Sequence, residues 1–384
     1  MRTHCAQARF VWNLALEQAN MYRPEWGPTP GYVAQSAQLT EARAANGWLA
    51  AGSFTVQQQA LRDFDQARKN WWAGTHGRPT WRRKGRHEGF RIVALRPGHL
   101  RRLNPRNAEA LVPKVGWVRF RLSRPLPKHA KSYRVTLDRV GRWHIAFALK
   151  PEPIDRRPTG ATIGLDRGVA NTLATSDGQL LHAPVMTPEE RARLARLQRR
   201  FARRKKGSRR RERARHAVAR LRAREAERVK DWIEQTTNSL VRNYDLVAIE
   251  DLRVIAMTRS ARGTIEAPGR NVAAKAGLNR EILARRWGLF ARRLGEKAAL
   301  VGVEVVKVNA SNTSRRCHAC GHVAAENRKS QAVFGCVTCG HVAHADVNAA
   351  MNVLAAGRAV TAQGEVVVVA STNCEPQHAP PTAA

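Results

Sequence analysis

Acidic residues are scarce in this 384-residue chain: 30 Asp and Glu stand against 67 Lys and Arg, a formal charge of +37. A folded chain with that surplus repels itself unless a polyanion lies beside it. Lys is scarce as well, 13 against 54 Arg. The guanidinium fork grips phosphate oxygens in pairs where an ammonium acts as a point charge, so nucleic acid is the expected partner. No run of about 18 apolar residues is present, which excludes a membrane-spanning helix of the usual kind and any membrane partner that depends on one. The opening "MRTHCAQARF" lacks an apolar signal core, and a cytoplasmic location is expected. Cysteines number only six, too few and too clustered for a disulfide framework. Four form two C-x-x-C pairs, and Cys5 and Cys374 stand apart as bystanders.

Periodicity then divides the chain into an α+β, multidomain order. Residues 1–88 read as helical, with "ARFVWNLALEQAN" placing Phe10, Val11, Leu14 and the Trp12/Leu16 pair, and "FTVQQQALRDFDQARKNWW" placing Val56, Ala60, Phe64, Ala67 and Trp71, at helical spacing. The basic segment "GRPTWRRKG" closes that region; Trp81 among Arg82, Arg83 and Lys84 suits a phosphate backbone. Residues 89–155 alternate in short runs with turn residues between them, the pattern of a small β-barrel or sandwich. From 156 to 316 strands and helices alternate: "ATIGLDRGVANTLATSDG", then a basic helical insertion over 188–243, then "YDLVAIEDL", an amphipathic helix and "VEVVKVNA". Strand, helix, strand predicts a parallel crossover. Residues 317–340 hold the cysteine pairs, 341–358 a last helical segment, and 359–384 an expected disordered tail.

Between Arg191 and Arg224 lie 17 Lys or Arg and one acid, Glu212. Salt-bridged helix surfaces interleave both signs, so this one-sided pair of helices is expected to face nucleic acid. Arg203, Arg204, Lys205, Lys206, Arg209, Arg210 and Arg211 are the candidates.

Cys317, Cys320, Cys336 and Cys339 have the spacing of a four-thiolate zinc site, each pair forming one tight turn that Gly321 or Gly340 completes. Four thiolates close the coordination sphere, so one structural Zn2+ is expected and no catalysis by it. His318, His322, His341 and His344 are then surface or nucleic-acid contacts.

Asp166 lies mid-strand in "IGLDRGV", flanked by apolar residues, Glu250 ends the run "LVAIE", and Asp346 opens the helix "DVNAAMNVL", where small Ala349 and Ala350 permit close packing on a sheet. Singly these acids read as a turn former, a loop acid and an N-cap. Together they have the layout of a two-metal nuclease, in which carboxylates hold two Mg2+ or Mn2+ ions that activate water and stabilise the leaving oxygen of a phosphodiester.

"IGLDRGVANTLATSDG", "LVAIEDL", "TSRRCHACG…FGCVTCG" and "DVNAAMNV" resemble, in order, the three RuvC motifs and the zinc ribbon of TnpB, the transposon-encoded RNA-guided DNA endonucleases related to compact type V CRISPR effectors. The likeness extends upstream to "RFVWNLAL". It implies an RNase H-like (RuvC) nuclease domain with the ribbon inserted before its last segment. It also implies a helical recognition lobe over 1–88, lacking its usual first strand, and a wedge barrel over 89–155. By resemblance Asp166, Glu250 and Asp346 hold the catalytic metals, the partners are a guide RNA from the transposon end and double-stranded target DNA, and cutting occurs next to a short flanking motif. A nuclease-inactive RNA-guided repressor and a transposase accessory protein are the alternatives. Arg167 stands where the family usually has an aliphatic residue; alternation turns it off the metal face, so little effect on the metals is expected.

Overall fold

The computed structural model describes residues 1–362 apart from 24, 26, 28, 151–153 and 155; Cys374 and the expected tail from 363 onward lie outside the described residues. The chain forms two compact units, Met1–Pro151 and Glu152–Ala384.

In the first unit, helices α1 (Arg2–Met21), α2 (Tyr32–Ala45), α3 (Gly47–Ala50) and α4 (Phe54–Trp72) precede strands β1 (Gly89–Val93), β2 (Leu100–Asn104), β3 (Asn107–Val112), β4 (Gly116–Arg121), β5 (Ser132–Leu137) and β6 (Trp143–Ala148). The strands make two antiparallel three-stranded sheets, ordered β1-β5-β6 and β2-β3-β4. The regions 1–88 and 89–155 are not separate bodies: Val11, Trp12 and Leu16 of α1, Phe64 of α4, Phe90, Val112 and Tyr133 share one apolar cluster. The helical stripe is narrower than the spacing suggests. Val11 and the Trp12/Leu16 pair are buried as expected, together with Ala15, whereas Phe10 and Leu14 are 43% and 46% exposed. Cys5 is buried in this core, and burial raises its thiol to about 11, so it is an inert apolar residue.

The second unit is organised around one five-stranded sheet, ordered β11-β10-β7-β8-β9. It comprises β7 (Thr162–Asp166), β8 (Leu173–Thr175), β9 (Leu180–Leu181), α5 (Pro188–Ala202), α6 (Arg209–Asn243), β10 (Leu246–Glu250), α7 (Val254–Met257), α8 (Val272–Arg285), α9 (Trp287–Val301), β11 (Glu304–Val308), β12 (Val333–Gly335), β13 (Val342–His344) and α10 (Ala345–Ala362). β7, β10 and β11 are mutually parallel, while β8 and β9 continue from β7 as an antiparallel meander. Ile163, Leu165, Val247, Ile249 and Val305 pack against Ile233 and Val241 of α6 and Phe290 and Leu294 of α9. The alternate residues Leu246, Ala248, Val306 and Val308 pack with Val353 of α10. Both faces of the sheet are therefore covered, which is why its strands read as continuous apolar runs.

Close approach sets the position of α10. A Cβ on Gly164 of β7 would lie 2.2 Å from the Ala350 carbonyl, and one on Gly357 would lie 2.5 Å from the Ala248 methyl. Only small residues allow the helix to lie this near the strands. α10 also runs on to Ala362, past the expected segment end at 358, so residues 359–362 are helical rather than part of a tail.

The basic insertion is an antiparallel helix pair. Thr187 and Glu190 form a capping box with Pro188 in the first turn of α5. Glu190 also meets Arg228 of α6 at 2.6 Å, while at the opposite end Arg211 donates to the Arg204 carbonyl at 2.7 Å and stacks on Phe201. Glu234 then joins α6 to α9 through Arg293 at 2.6 Å and Lys297 at 2.9 Å. Among the described residues no helix is long and apolar enough to cross a membrane.

A candidate carboxylate site beside a four-cysteine ribbon

β7 and β10 are parallel with Leu165 opposite Ile249, so their carboxyl ends finish side by side. Gly164 and Ala248 face α10. The strand period of two therefore delivers Asp166 and Glu250 to that same face. Asp346, the second residue of α10, arrives there from the helix N-terminus, where the dipole favours a negative charge. Glu250 and Asp346 are 5% and 6% exposed, and Asp166 is half-buried.

The three acids interact strongly. Burial first, then the negative charges of Glu250 and Asp346, push the Asp166 carboxyl up to about 8; its hydrogen bond with Glu250 acts in the same direction and Arg328 opposes them. Each of the other two acids is oriented by a neighbour: the Thr313 hydroxyl donates to Glu250 Oε1 at 2.8 Å, and Asn171 Nδ2 donates to Asp346 Oδ2 at 2.8 Å. Arg328, from the ribbon, donates to Asp346 Oδ1 at 3.0 Å. Asn171 reaches the site because the turn after β7 is tight; a Cβ on Gly168 would meet the Asn171 carbonyl at 2.7 Å. Neither Asn171, Thr313 nor Arg328 was among the sequence candidates, since no spacing relates any of them to an acid. The donor set is all carboxylate oxygen with a surplus of negative charge, which fits hard divalent cations such as Mg2+ or Mn2+. Among the described residues, the four thiols beside them are the one group of His, Cys, Asp or Glu side chains gathered closely enough to hold a metal ion, and the three carboxylates do not form such a group.

Those thiols, Cys317, Cys320, Cys336 and Cys339, lie within 4.8 Å of one another. Cys317 and Cys339 sulfurs are 3.7 Å apart and those of Cys320 and Cys336 are 3.6 Å apart. Ligands about 2.3 Å from a tetrahedral ion are about 3.8 Å from each other, so the cluster can hold one zinc ion. The two halves are built alike: the Gly321 and Gly340 amides donate to the Cys317 and Cys336 carbonyls, and both glycines have positive φ, 78° and 72°. β12 and β13 form the short hairpin that leads into α10.

The Asn-Ala-Ala pattern of α10 ties the two sites together. Ala349 and Ala350 are buried against the sheet, while Asn348 and Asn352, one turn apart, both donate to the Arg316 carbonyl at 2.8 Å. Asn348 Oδ1 also accepts from the His318 amide at 3.0 Å, and Asn352 donates to the Thr313 carbonyl at 2.9 Å. The ribbon is thus clamped at its base by the helix that presents Asp346. His344, expected as a surface or nucleic-acid contact, instead accepts from the Asp346 amide at 3.2 Å.

Comparison with known proteins follows this division. Residues 144–261, which include Asp166 and Glu250, match the family described as "Probable transposase", OrfB of IS605, and residues 287–353, which include the ribbon and Asp346, match "Cas12f1-like, TNB domain". Over 377 residues the chain is 36% identical to the Escherichia coli K12 protein named "Putative RNA-guided DNA endonuclease InsQ", covering 96% of this chain and 90% of that one. The chain belongs to the TnpB family. A Streptomyces pristinaespiralis protein of the same designation is 32% identical to this TnpB-family chain over 93% of it and 85% of the relative. The fold is similar to that of the Cas12f1 chain in a complex with single guide RNA and target DNA, with a TM-score of 0.55 over 92% of this chain and 81% of that one at 14% identity.

The basic candidates of this TnpB-family chain separate into exposed and engaged groups. Arg83, Lys84, Arg203, Lys205, Lys206, Arg209 and Arg210 are exposed, and Arg204 is half-buried. Arg196, Arg199 and Arg200 join Arg203 and Arg204 around one cleft on α5. Arg82 and Arg211 are engaged in the fold. The Arg82 guanidinium lies 3.7 Å from the Trp12 ring centroid, its backbone is paired with the Asn13 side chain, and burial lowers its pKa to about 10. Arg211 closes the α5–α6 turn as described above.

Proposed function

We propose that this TnpB-family chain is an RNA-guided DNA endonuclease that cuts phosphodiester bonds at Asp166, Glu250 and Asp346 with two Mg2+ or Mn2+ ions. The observation that carries the reading is the placement of three carboxylates, from two parallel strand ends and one helix start, on the same face of the sheet, where Glu250 and Asp346 act on the charge of Asp166. Strand order β11-β10-β7-β8-β9, with β7, β10 and β11 parallel, supports an RNase H-like (RuvC) assignment of the second unit. The relatives named as RNA-guided DNA endonucleases support the activity.

On this reading Asp166, Glu250 and Asp346 would hold the ions, and the chemistry such ions would supply there is activation of water and charge neutralisation at the leaving oxygen. Thr313 fixes the Glu250 carboxylate and Asn171 fixes that of Asp346, so neither acid rotates away from the site. Cys317, Cys320, Cys336 and Cys339 hold one structural Zn2+ that keeps the base of α10 in place. The exposed arginines and lysines of the α5–α6 turn and the Arg83–Lys84 segment contact the guide RNA and the target duplex. The helices and sheets of the first unit serve as recognition lobe and wedge, the guide derives from the transposon end, and the protein reads a short motif flanking the target in the cytoplasm. Base pairing then supplies sequence specificity. A repressor that binds without cutting has no need of three acids on one face of the sheet, so their joint presence favours the nuclease.

The test is to co-express the chain with its flanking DNA, sequence the RNA that copurifies, and challenge the complex with plasmids carrying that target beside randomised flanks. Mg2+-dependent linearisation of a flank-selected subset is expected; binding of those plasmids without any cut would overturn the endonuclease reading.

A further inference from the structure

Arg167 follows Asp166 and is only 6% exposed. Contrary to the expectation that it turns away without consequence, its guanidinium donates to the main-chain carbonyl of Glu250. Its Nε is buried with no partner, and the charges acting on it are those of Glu250, Asp166 and Asp251. Burying a guanidinium costs several kcal/mol, roughly, unless nearby anions offset it. Those anions are the acids of the candidate site and the residue next to it.

The backbone explains why a side chain is needed there. The β7–β10 ladder stops with Leu165 opposite Ile249, because β7 turns off after Asp166 into the meander. On its other edge β10 remains paired through Glu250 opposite Val308, and the Asp251 amide donates to the Val308 carbonyl at 2.8 Å. Backbone pairing of β10 thus runs past Glu250 on the β11 side, while on the β7 side the ladder has ended and the Glu250 carbonyl is taken up by the Arg167 side chain.

We propose that Arg167 is a positioning residue for the metal site: it replaces the missing rung between β7 and β10, locking the Glu250 main chain against the strand that carries Asp166 and so setting the separation of their carboxylates. This rests on the two-ion reading above. Residues that orient metal ligands from behind typically change metal affinity by about 10- to 100-fold when removed.

The experiment is a Mn2+ titration of the zinc-loaded full chain, read by the free-ion electron paramagnetic resonance signal, with thermal melts alongside. Wild type is expected to bind Mn2+ and Asp166→Ala to lose that binding. Arg167→Met should bind about 10-fold more weakly. Arg167→Lys, whose ammonium can reach the same carbonyl, should return to within about threefold of wild type. If Arg167→Met does not fold, Arg167→Gln takes its place, since its shorter amide falls short of the carbonyl and carries the same expected weakening. A lowered melting temperature with unchanged Mn2+ affinity would make Arg167 merely structural and overturn the inference. Mn2+ binding abolished in Asp166→Ala but untouched in Arg167→Met sinks this inference alone; wild-type binding that Asp166→Ala retains sinks the two-ion reading, and this inference with it.

Discussion

The ribbon gathers four sulfurs within 4.8 Å from two short turns of one contiguous segment, whereas the carboxylate site draws one acid each from β7, β10 and α10. The turns of the ribbon are closed by their own backbone amides and glycines, so its ligands are set locally. The acids are set by the sheet: parallel pairing aligns two strand ends, and two glycines admit the helix that brings the third. The two sites also differ in what the protein does without metal. Two sulfur pairs lie 3.6–3.7 Å apart with all four within 4.8 Å, while burial and then the charges of the neighbouring acids push the Asp166 carboxyl up. A local site can therefore serve folding, and a strained, assembled one is suited to chemistry that begins when cations arrive.

The comparison can be broken most directly at Asp166. Asp166→Ala should reduce target cleavage to background while guide and target binding stay near wild type, as measured by plasmid linearisation and filter binding on the same preparation. Cleavage equal to wild type removes Asp166 from the site. At the ribbon the effect should fall on folding instead: Cys336→Ser should lower the melting midpoint by about 5 °C or more, because zinc binding is linked to folding there. An unchanged melt would contradict a zinc-dependent ribbon.

A third test separates exposed from engaged cations. Replacing Arg203, Arg204, Lys205 and Lys206 with Gln should weaken RNA binding and flatten its salt dependence by about 0.7–0.9 in log–log slope for each phosphate no longer neutralised. Arg211→Gln should leave that slope alone and destabilise the helix pair, since Arg211 is bonded to the Phe201 and Arg204 carbonyls. Equal slopes for the two variants would erase the distinction.

The smallest effect concerns pH. Asp166 titrates from an ordinary 3.8 to about 8 on folding, so between those values the native state holds a proton that the unfolded chain has released. Stability of the Mg2+-free, zinc-loaded protein should then be greatest below pH 3.8 with respect to this group and be lost as pH rises through about 8. Asp166→Asn, which imitates the protonated acid, should gain on wild type over that interval, and saturating Mg2+ should reverse the ranking. Parallel stability curves for the two chains would show that the acids do not crowd one another.

Much of this architecture was legible because local rules produced it. The apolar runs "LVAIE" and "VEVVKV" are β10 and β11, the basic stretch is the α5–α6 pair, and the cysteine spacing is the ribbon. Other features were not legible because they depend on packing rather than on local pattern. Helices of 1–88 and strands of 89–155 alternate in type yet bury against each other, so periodicity drew a boundary through a shared core. Arg82 and Arg211 look like their exposed neighbours in sequence, but Trp12 and the end of α5 bind them. Asn171, Thr313 and Arg328 carry no signal at all, because a hydrogen bond to an acid far along the chain imposes no local spacing.

The order of residues by itself determined which segments are strands and helices, that a thiolate cluster closes after Cys339, and that the surface is positive, since each depends on neighbours along the chain or on composition. Tertiary structure alone decided that Asp166, Glu250 and Asp346 share one face, that Thr313 and Asn171 orient two of them, and that Arg167 is buried behind them. Those facts follow from parallel pairing and the close approach of α10 to Gly164, where distant residues meet and charge is desolvated.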